Sequence, residues 1–209
     1  MRVLHFGSMV AAALAAGVAL GCASDTTGPI VRPPGQLNIL HLATTAPPLW
    51  NRDTVITCVK GQGCEGRIFF QDSVGDPGEE FARLTLDQAS LLRHPDGTAI
   101  NDGDTVNITM SVVGDSVMLE FAPAGLRFDP AHPAKLVIEY GEAGDSVPED
   151  FNGDGTPGDA GDDAIEQMLS VWREELPGDP FVKIGTAKIE SLNEVEADLT
   201  GFSRYALAY

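Results

Sequence analysis

The chain has 209 residues, with 13 Lys and Arg against 31 Asp and Glu, giving a formal charge of −18. Its 43% hydrophobic content can bury a core, which excludes wholesale disorder. The acidic excess argues against a nucleic-acid partner and against electrostatic attraction to anionic lipid, both of which need clustered cations.

Residues 1–21 read as an export signal. Arg2 supplies a positive start and Val10 to Leu20 an apolar run. At 1.5 Å per residue that run makes about 16 Å of helix, roughly half a bilayer core, so cleavage is expected rather than a permanent span. The run ends in Val18-Ala19-Leu20-Gly21-Cys22, which resembles the lipobox of bacterial lipoproteins. The resemblance implies that Cys22 becomes the mature N-terminus and is lipidated through its sulfur, tethering the chain to a membrane. Ala19 and Leu20 depart from the residues commonest at their positions, and the alternative is an ordinary signal cleaved near Ala23, with Cys22 discarded. Anchoring by two or more acyl chains is stable, each buried CH₂ adding about 0.8 kcal/mol. Ala23 and Ser24 follow the cysteine with no Asp beside it, which implies the outer membrane of a bacterial envelope, with the body facing the periplasm or the exterior. Residues 22–35 carry Pro29, Pro33 and Pro34 and no hydrophobic period, so they are expected to form a flexible tether ahead of a single body over 36–209.

From residue 36 the chain reads as strands. Val55 to Lys60, Arg67 to Gln71 and Phe81 to Leu86 are the first candidates. Thr105 to Val112 is the clearest, with Val106, Ile108, Met110 and Val112 on one face. A turn at Val113-Gly114-Asp115-Ser116 and a return from Val117 to Phe121 make a hairpin. Lys135 to Tyr140 follows, with Leu136 and Ile138 opposed to Val137. Residues 163–169 have helical composition and are expected to form a short helical turn leading into a strand over Leu169 to Arg173. Phe181 to Ile189, the alternating Val195, Ala197 and Leu199, and Arg204 to Tyr209 complete the series. Short strands with 23 Gly and 14 Pro between them predict a β-sandwich or an open barrel.

Phe121-Ala122-Pro123-Ala124-Gly125-Leu126-Arg127-Phe128, followed by Pro133-Ala134-Lys135-Leu136-Val137-Ile138, is similar to the signature of the ZU-five domain of zonula occludens proteins, ankyrins and netrin receptors. Leu169-Ser170-Val171-Trp172, Phe181 to Ile184 and Gly201-Phe202-Ser203-Arg204-Tyr205-Ala206 extend the likeness over about residues 66–209. The resemblance implies an all-β, antiparallel β-sandwich that serves as an interaction domain. Some relatives of that fold cut their own backbone at a His-Phe-Ser step. Gly201 stands in place of the His here, so the Ser203 nucleophile lacks its base, and Phe202 and Tyr205 are expected to pack in the core.

Three local patterns carry chemistry. Cys58 and Cys64 remain as an even pair once Cys22 is lipidated, and in an exported chain they are expected to form a disulfide rather than half of a metal site. The nearby Gly61-x-Gly63-x-x-Gly66 has the dinucleotide-binding spacing, but Arg67-Ile68-Phe69-Phe70 after it is strand-like, whereas that motif needs a helix. An acidic insertion at about 141–163 contains Asp150-Phe151-Asn152-Gly153-Asp154-Gly155, whose oxygens at positions 1, 3 and 5 and Gly at 6 match an EF-hand-like loop. Asp150, Asn152, Asp154, the Thr156 carbonyl and Asp162 are the candidate Ca²⁺ ligands. Pro157 at position 8 and Gly161 at position 12 depart from the pattern, so Asp162 needs a one-residue insertion to be absorbed. The alternative is an acidic, Gly-rich surface loop. A site of this kind would bind with a dissociation constant on the order of 10⁻⁴ to 10⁻³ M, in a structural role.

No Gly-x-Ser-x-Gly or His-Glu-x-x-His motif occurs, and His41, His94 and His132 are widely spaced. The expectation is a membrane-anchored, non-catalytic binding or structural module with a protein or glycan partner. The alternatives are a self-cleaving or polysaccharide-hydrolysing enzyme, and a Ca²⁺-stabilised adhesion or carbohydrate-binding module in which Trp50 or Trp172 stacks on a sugar.

Overall fold

A computed structural model describes residues 28–209. The stretch read as an export signal, and Cys22, lie outside the described residues. Among the described residues, fourteen strands and one α-helix follow in chain order. The first seven strands are β1 (Val31–Arg32), β2 (Asp53–Val59), β3 (Cys64–Gln71), β4 (Pro77–Leu86), β5 (Leu91–Arg93), β6 (Thr105–Val112) and β7 (Met118–Ala122). Then come β8 (Arg127–Phe128), β9 (Ala134–Glu139), α1 (Ala160–Met168), β10 (Ser170–Glu174), β11 (Phe181–Lys183), β12 (Thr186–Ile189), β13 (Glu194–Leu199) and β14 (Arg204–Ala208).

Two antiparallel sheets face one another. One has seven strands in the order β1-β11-β10-β14-β7-β6-β2, the other five in the order β12-β13-β9-β4-β3, and β5 with β8 forms a small ribbon. Period-two alternation explains the sandwich: Val106, Ile108, Met110 and Val112 of β6 and Val195, Ala197 and Leu199 of β13 are all buried in the shared core. The expected hairpin is β6–β7, in register from Thr109↔Ala122 to Val112↔Leu119. An aromatic knot sits at the end of this core. Phe121 stacks on Phe202 at 4.9 Å between ring centres, Phe128 meets Phe202 edge-on at 4.8 Å, and Phe121 meets Tyr205 at 5.8 Å. Val137 of β9 is buried as well as Leu136 and Ile138, so that strand is covered on both faces.

Three local readings need correction. Phe181 to Ile189 is two strands, β11 in the seven-stranded sheet and β12 in the five-stranded sheet, with the chain changing sheets around Gly185. Within the stretch read as a tether, Val31 and Arg32 pair with Val182 and Phe181, so the sheet begins before residue 36. Trp172 is only 5% exposed and therefore offers no stacking face. Its strand β10 lies between β11 and β14, and Leu37, Met118, Phe181, Ala206 and Ala208 enclose the indole in a second apolar cluster on the sheet's other face. The Trp172 Nε1–H donates to the Ala208 carbonyl at 3.2 Å.

Cys58 and Cys64 form the disulfide, with Cα atoms 5.4 Å apart. They stand where the chain passes from β2, at the edge of one sheet, to β3, at the edge of the other. Closing so short a loop stabilises by about 2 kcal/mol on the chain-entropy view. Gly66 lies within β3, where a Cβ would sit 2.2 Å from Ile56 Cδ1, so glycine is needed there for the two edge strands to approach. Gly61, at φ +94°, instead makes the tight turn between the two strands.

Candidate functional site

The acidic insertion connects β9 to α1. Tyr140 follows β9 directly with its ring buried, its hydroxyl donates to Glu166 Oε1 of α1 at 2.5 Å, and its ring lies 6.3 Å from that of Phe151. Burial and the Glu166 carboxylate push the Tyr140 hydroxyl well above the usual phenol range. The segment then folds back against residues 41–46. The Ala43 N–H donates to the Glu142 carbonyl at 3.0 Å, the Gly144 N–H to His41 at 3.0 Å, and the Thr44 and Thr45 hydroxyls to the Ser146 carbonyl, each at 3.0 Å. Gly144 allows this fold-back, since a Cβ there would lie 2.2 Å from the Val147 carbonyl oxygen.

Residues 150–162 make the turns that the Asp-x-Asn-x-Asp-Gly order favours. Asp150 Oδ2 accepts the Gly155 N–H at 3.1 Å, Asn152 Oδ1 accepts the Asp154 N–H at 2.8 Å, and Asp154 Oδ1 accepts the Thr156 N–H at 2.8 Å. The loop closes through Asp162, whose Oδ1 accepts the Asn152 N–H at 3.0 Å and whose Oδ2 accepts the Asp159 N–H at 3.2 Å. Asp159 caps α1 by accepting the Gly161 and Asp162 N–H groups, which completes a capping box. The extra residue is absorbed at Pro157–Gly158, where Gly158 takes φ +69°, and α1 then starts so that Asp162 faces back into the loop. Asp150 is 1% exposed, and its Oδ1 is buried with no hydrogen-bond partner. Asp150 and Asp162 are buried, whereas Asn152, Asp154 and Thr156 are exposed; Asn152 links them, its N–H bonded to Asp162 and its Nδ2–H donating to Asp154 Oδ2 at 3.3 Å and Asp159 Oδ1 at 3.4 Å. Among the described residues, no three acidic, imidazole or thiol groups converge closely enough to chelate a metal as they stand.

A second carboxylate group lies at the base of the insertion and has no sequence signal beyond the general acidity. Glu139 Oε1 accepts the Gly141 N–H at 2.7 Å, while Oε2 is buried without a partner. Burial pushes the Glu139 carboxyl up to about 7, and Glu142, Glu79 and Glu194 reinforce the shift. Glu194 stands directly opposite Glu139 in the β9–β13 ladder, a like-charge pair. Glu142 is raised by its own burial and by the charges of Glu79 and Glu149.

A groove of about 880 Å³ lies between residues 39–49 and the insertion. Residues 39–49 span that end of the sandwich, bridging Ile39 to Ala208, His41 to Ser116, Leu42 to Ala143 and Leu49 to Phe70. Leu42, Pro48 and Phe151 give the groove an apolar floor, and His41, Arg52 and Asp145 supply polar groups. Trp50, next to the lining residue Leu49, is 49% exposed. The groove depends on contacts between residues about a hundred positions apart, and nothing in the local sequence announces it.

The Phe202–Ser203 step is buried. The Ser203 hydroxyl accepts the Arg173 Nε–H at 3.0 Å, the Tyr205 hydroxyl donates to the Gly201 carbonyl, and the Gly125 N–H donates to the Phe202 carbonyl at 3.0 Å. These contacts fasten the last turn to the Pro123–Leu126 bend. Among the described residues, no helix is long and apolar enough to cross a membrane.

The chain was compared with family models, with curated proteins and with solved structures. None of the three comparisons returned a match.

Proposed function

We propose that this chain is a lipid-tethered, extracytoplasmic bacterial lipoprotein whose ZU-five-like β-sandwich acts as a non-catalytic binding module at the cell envelope, held in the outer membrane because no Asp follows Cys22. The observation that carries the binding role is the groove of about 880 Å³ at one end of the sandwich, apolar in its floor and edged by His41, Arg52 and Asp145. The Cys58–Cys64 disulfide supports an oxidising compartment, where such bonds persist. The partner is an envelope protein or glycan that can set an apolar face against Leu42 and Phe151 and hydrogen-bond to the rim.

The test is capture of purified envelope polysaccharide and envelope protein fractions on the immobilised full chain, against an Ala46→Trp variant that fills the groove. Capture that falls in the variant while its thermal midpoint holds supports the reading. Equal capture by both chains, or capture by neither, sinks it. Labelled palmitate should enter the parent and not Cys22→Ala, and label retained in the variant rejects the anchor.

Exposed Trp50 beside the groove favours a glycan over a protein partner, because an indole face stacks on a sugar ring. Loss of polysaccharide capture in Trp50→Ala, with protein capture unchanged, would distinguish the two.

A further inference from the structure

We propose that residues 150–162 form a Ca²⁺ site, and that the ion fixes the wall of the groove contributed by Asp145 and Phe151. The ligands are Asp150 Oδ1, the side-chain oxygens of Asn152 and Asp154, the Thr156 carbonyl and the Asp162 carboxylate.

The decisive feature is Asp150. Its Oδ2 accepts the Gly155 N–H, which aims the carboxyl group into the loop, and its Oδ1 is buried there with no partner. A buried, unpaired carboxylate oxygen is costly unless a cation or donor meets it. No lysine or arginine occurs between residues 141 and 163, where Glu142, Asp145, Glu149, Asp150, Asp154, Asp159, Asp162 and Asp163 all stand, so the chain supplies no local cation. Asn152 Oδ1 and Asp154 Oδ1 each accept one backbone N–H, Asp154 Oδ2 accepts the Asn152 Nδ2–H at 3.3 Å, and the two Asp162 oxygens accept one backbone N–H each, so every oxygen keeps a further lone pair for a metal. All the ligands are hard oxygens, which suits Ca²⁺. Mg²⁺ demands a tighter octahedron and sheds its water reluctantly, so it is disfavoured. Asp162 already faces the loop, and Asp154 must turn inward onto the ion, which the exposed stretch with glycines at 153, 155 and 158, all at positive φ, allows.

The link to the groove is covalent and hydrogen-bonded. Phe151 sits between the ligands Asp150 and Asn152 and forms part of the groove floor. The Asp145 N–H donates to the Asp150 carbonyl at 2.9 Å, and the Asp145 side chain lies beside Gly153, in ordinary van der Waals reach of a Cβ built there. An ion that immobilises residues 150–154 therefore immobilises both groove residues. This second half rests on the groove being the binding face, whereas ion binding itself does not.

The test is calorimetric titration of the full chain with CaCl₂ and separately with MgCl₂, paired with hydrogen exchange of the backbone amides. Ca²⁺ should bind with a dissociation constant on the order of 10⁻⁴ to 10⁻³ M and raise the thermal midpoint by about 3 °C at saturation, with Mg²⁺ much weaker. Ca²⁺ should also slow exchange at Asp145 and at residues 151–156. Asp150→Asn should weaken binding about tenfold. Asp154→Asn, at an exposed position where the new amide oxygen can still accept the Thr156 N–H, should weaken it similarly and so keeps the test sound if Asp150→Asn fails to fold. No heat and no midpoint shift with millimolar Ca²⁺, or equal binding by Asp154→Asn, overturns the site. Ca²⁺ binding without slowed exchange at Asp145 overturns only the coupling to the groove. Failure of partner capture with Ca²⁺ bound counts against the groove reading and leaves the ion site standing.

Discussion

In the two sheets, structure is held by buried side chains: Phe81, Ile108, Phe121, Leu136 and Val195 are almost fully enclosed, and the backbone groups pair along the ladders. Between Tyr140 and Leu169 the balance is reversed. There Asp150, Asn152, Asp154, Asp159 and Asp162 hold the chain by accepting backbone N–H groups, and Phe151 and Ile165 only lean on the core. Apolar burial is indifferent to pH and to ions, whereas carboxylate-built structure responds to both. The sandwich is thus the rigid frame, and the acidic connection is the region that solution conditions can adjust.

Substitutions should break the two regions by different amounts. The largest effect belongs to the frame: Phe121→Ala removes a ring from the aromatic knot and should cost about 3–5 kcal/mol, read as a lower urea midpoint. Glu139, where frame meets connection, comes next. Its carboxyl is raised to about 7 when folded from an ordinary value of 4.5, so the native state holds the proton more tightly than the unfolded chain. That stability is fully present below the ordinary value and is lost as pH rises through about 7. The thermal midpoint should fall between about pH 5 and pH 8, and Glu139→Gln should flatten that slope and stabilise by about 1–2 kcal/mol at the alkaline end, after allowance for partial solvent screening. A variant with the parent's slope would place the pH response elsewhere. The smallest effect is in the connection: Asp159→Ala removes the α1 cap and should cost about 1 kcal/mol, with faster amide exchange at Gly161 and Asp162 and none in β6.

The same division decides what could be read beforehand. Alternation in β6 and β13, the β6–β7 turn, the cysteine pair and the Asp-x-Asn-x-Asp-Gly order are local patterns, and each maps onto its element. The division of Phe181 to Ile189 between two sheets was hidden, because a period of two fixes a face and not the sheet that receives it. Trp172 was misjudged because burial on both faces of β10 depends on Leu37, far away in sequence. The Glu79, Glu139, Glu142 and Glu194 group and the groove arise only when distant segments meet, and so many acids in one chain mask any particular pairing.

The corner between β2 and β3 bears on where the molecule can safely mature. Its sulfur bridge stitches together one free margin of each sheet, β2 and β3, two of the edges where another chain could add a strand. With the bridge reduced, those two edges lose their covalent clasp and can part, leaving the unpaired ladder groups of β2 and β3 freer to meet a neighbour. Under the exported placement proposed above, an oxidising compartment keeps that clasp closed.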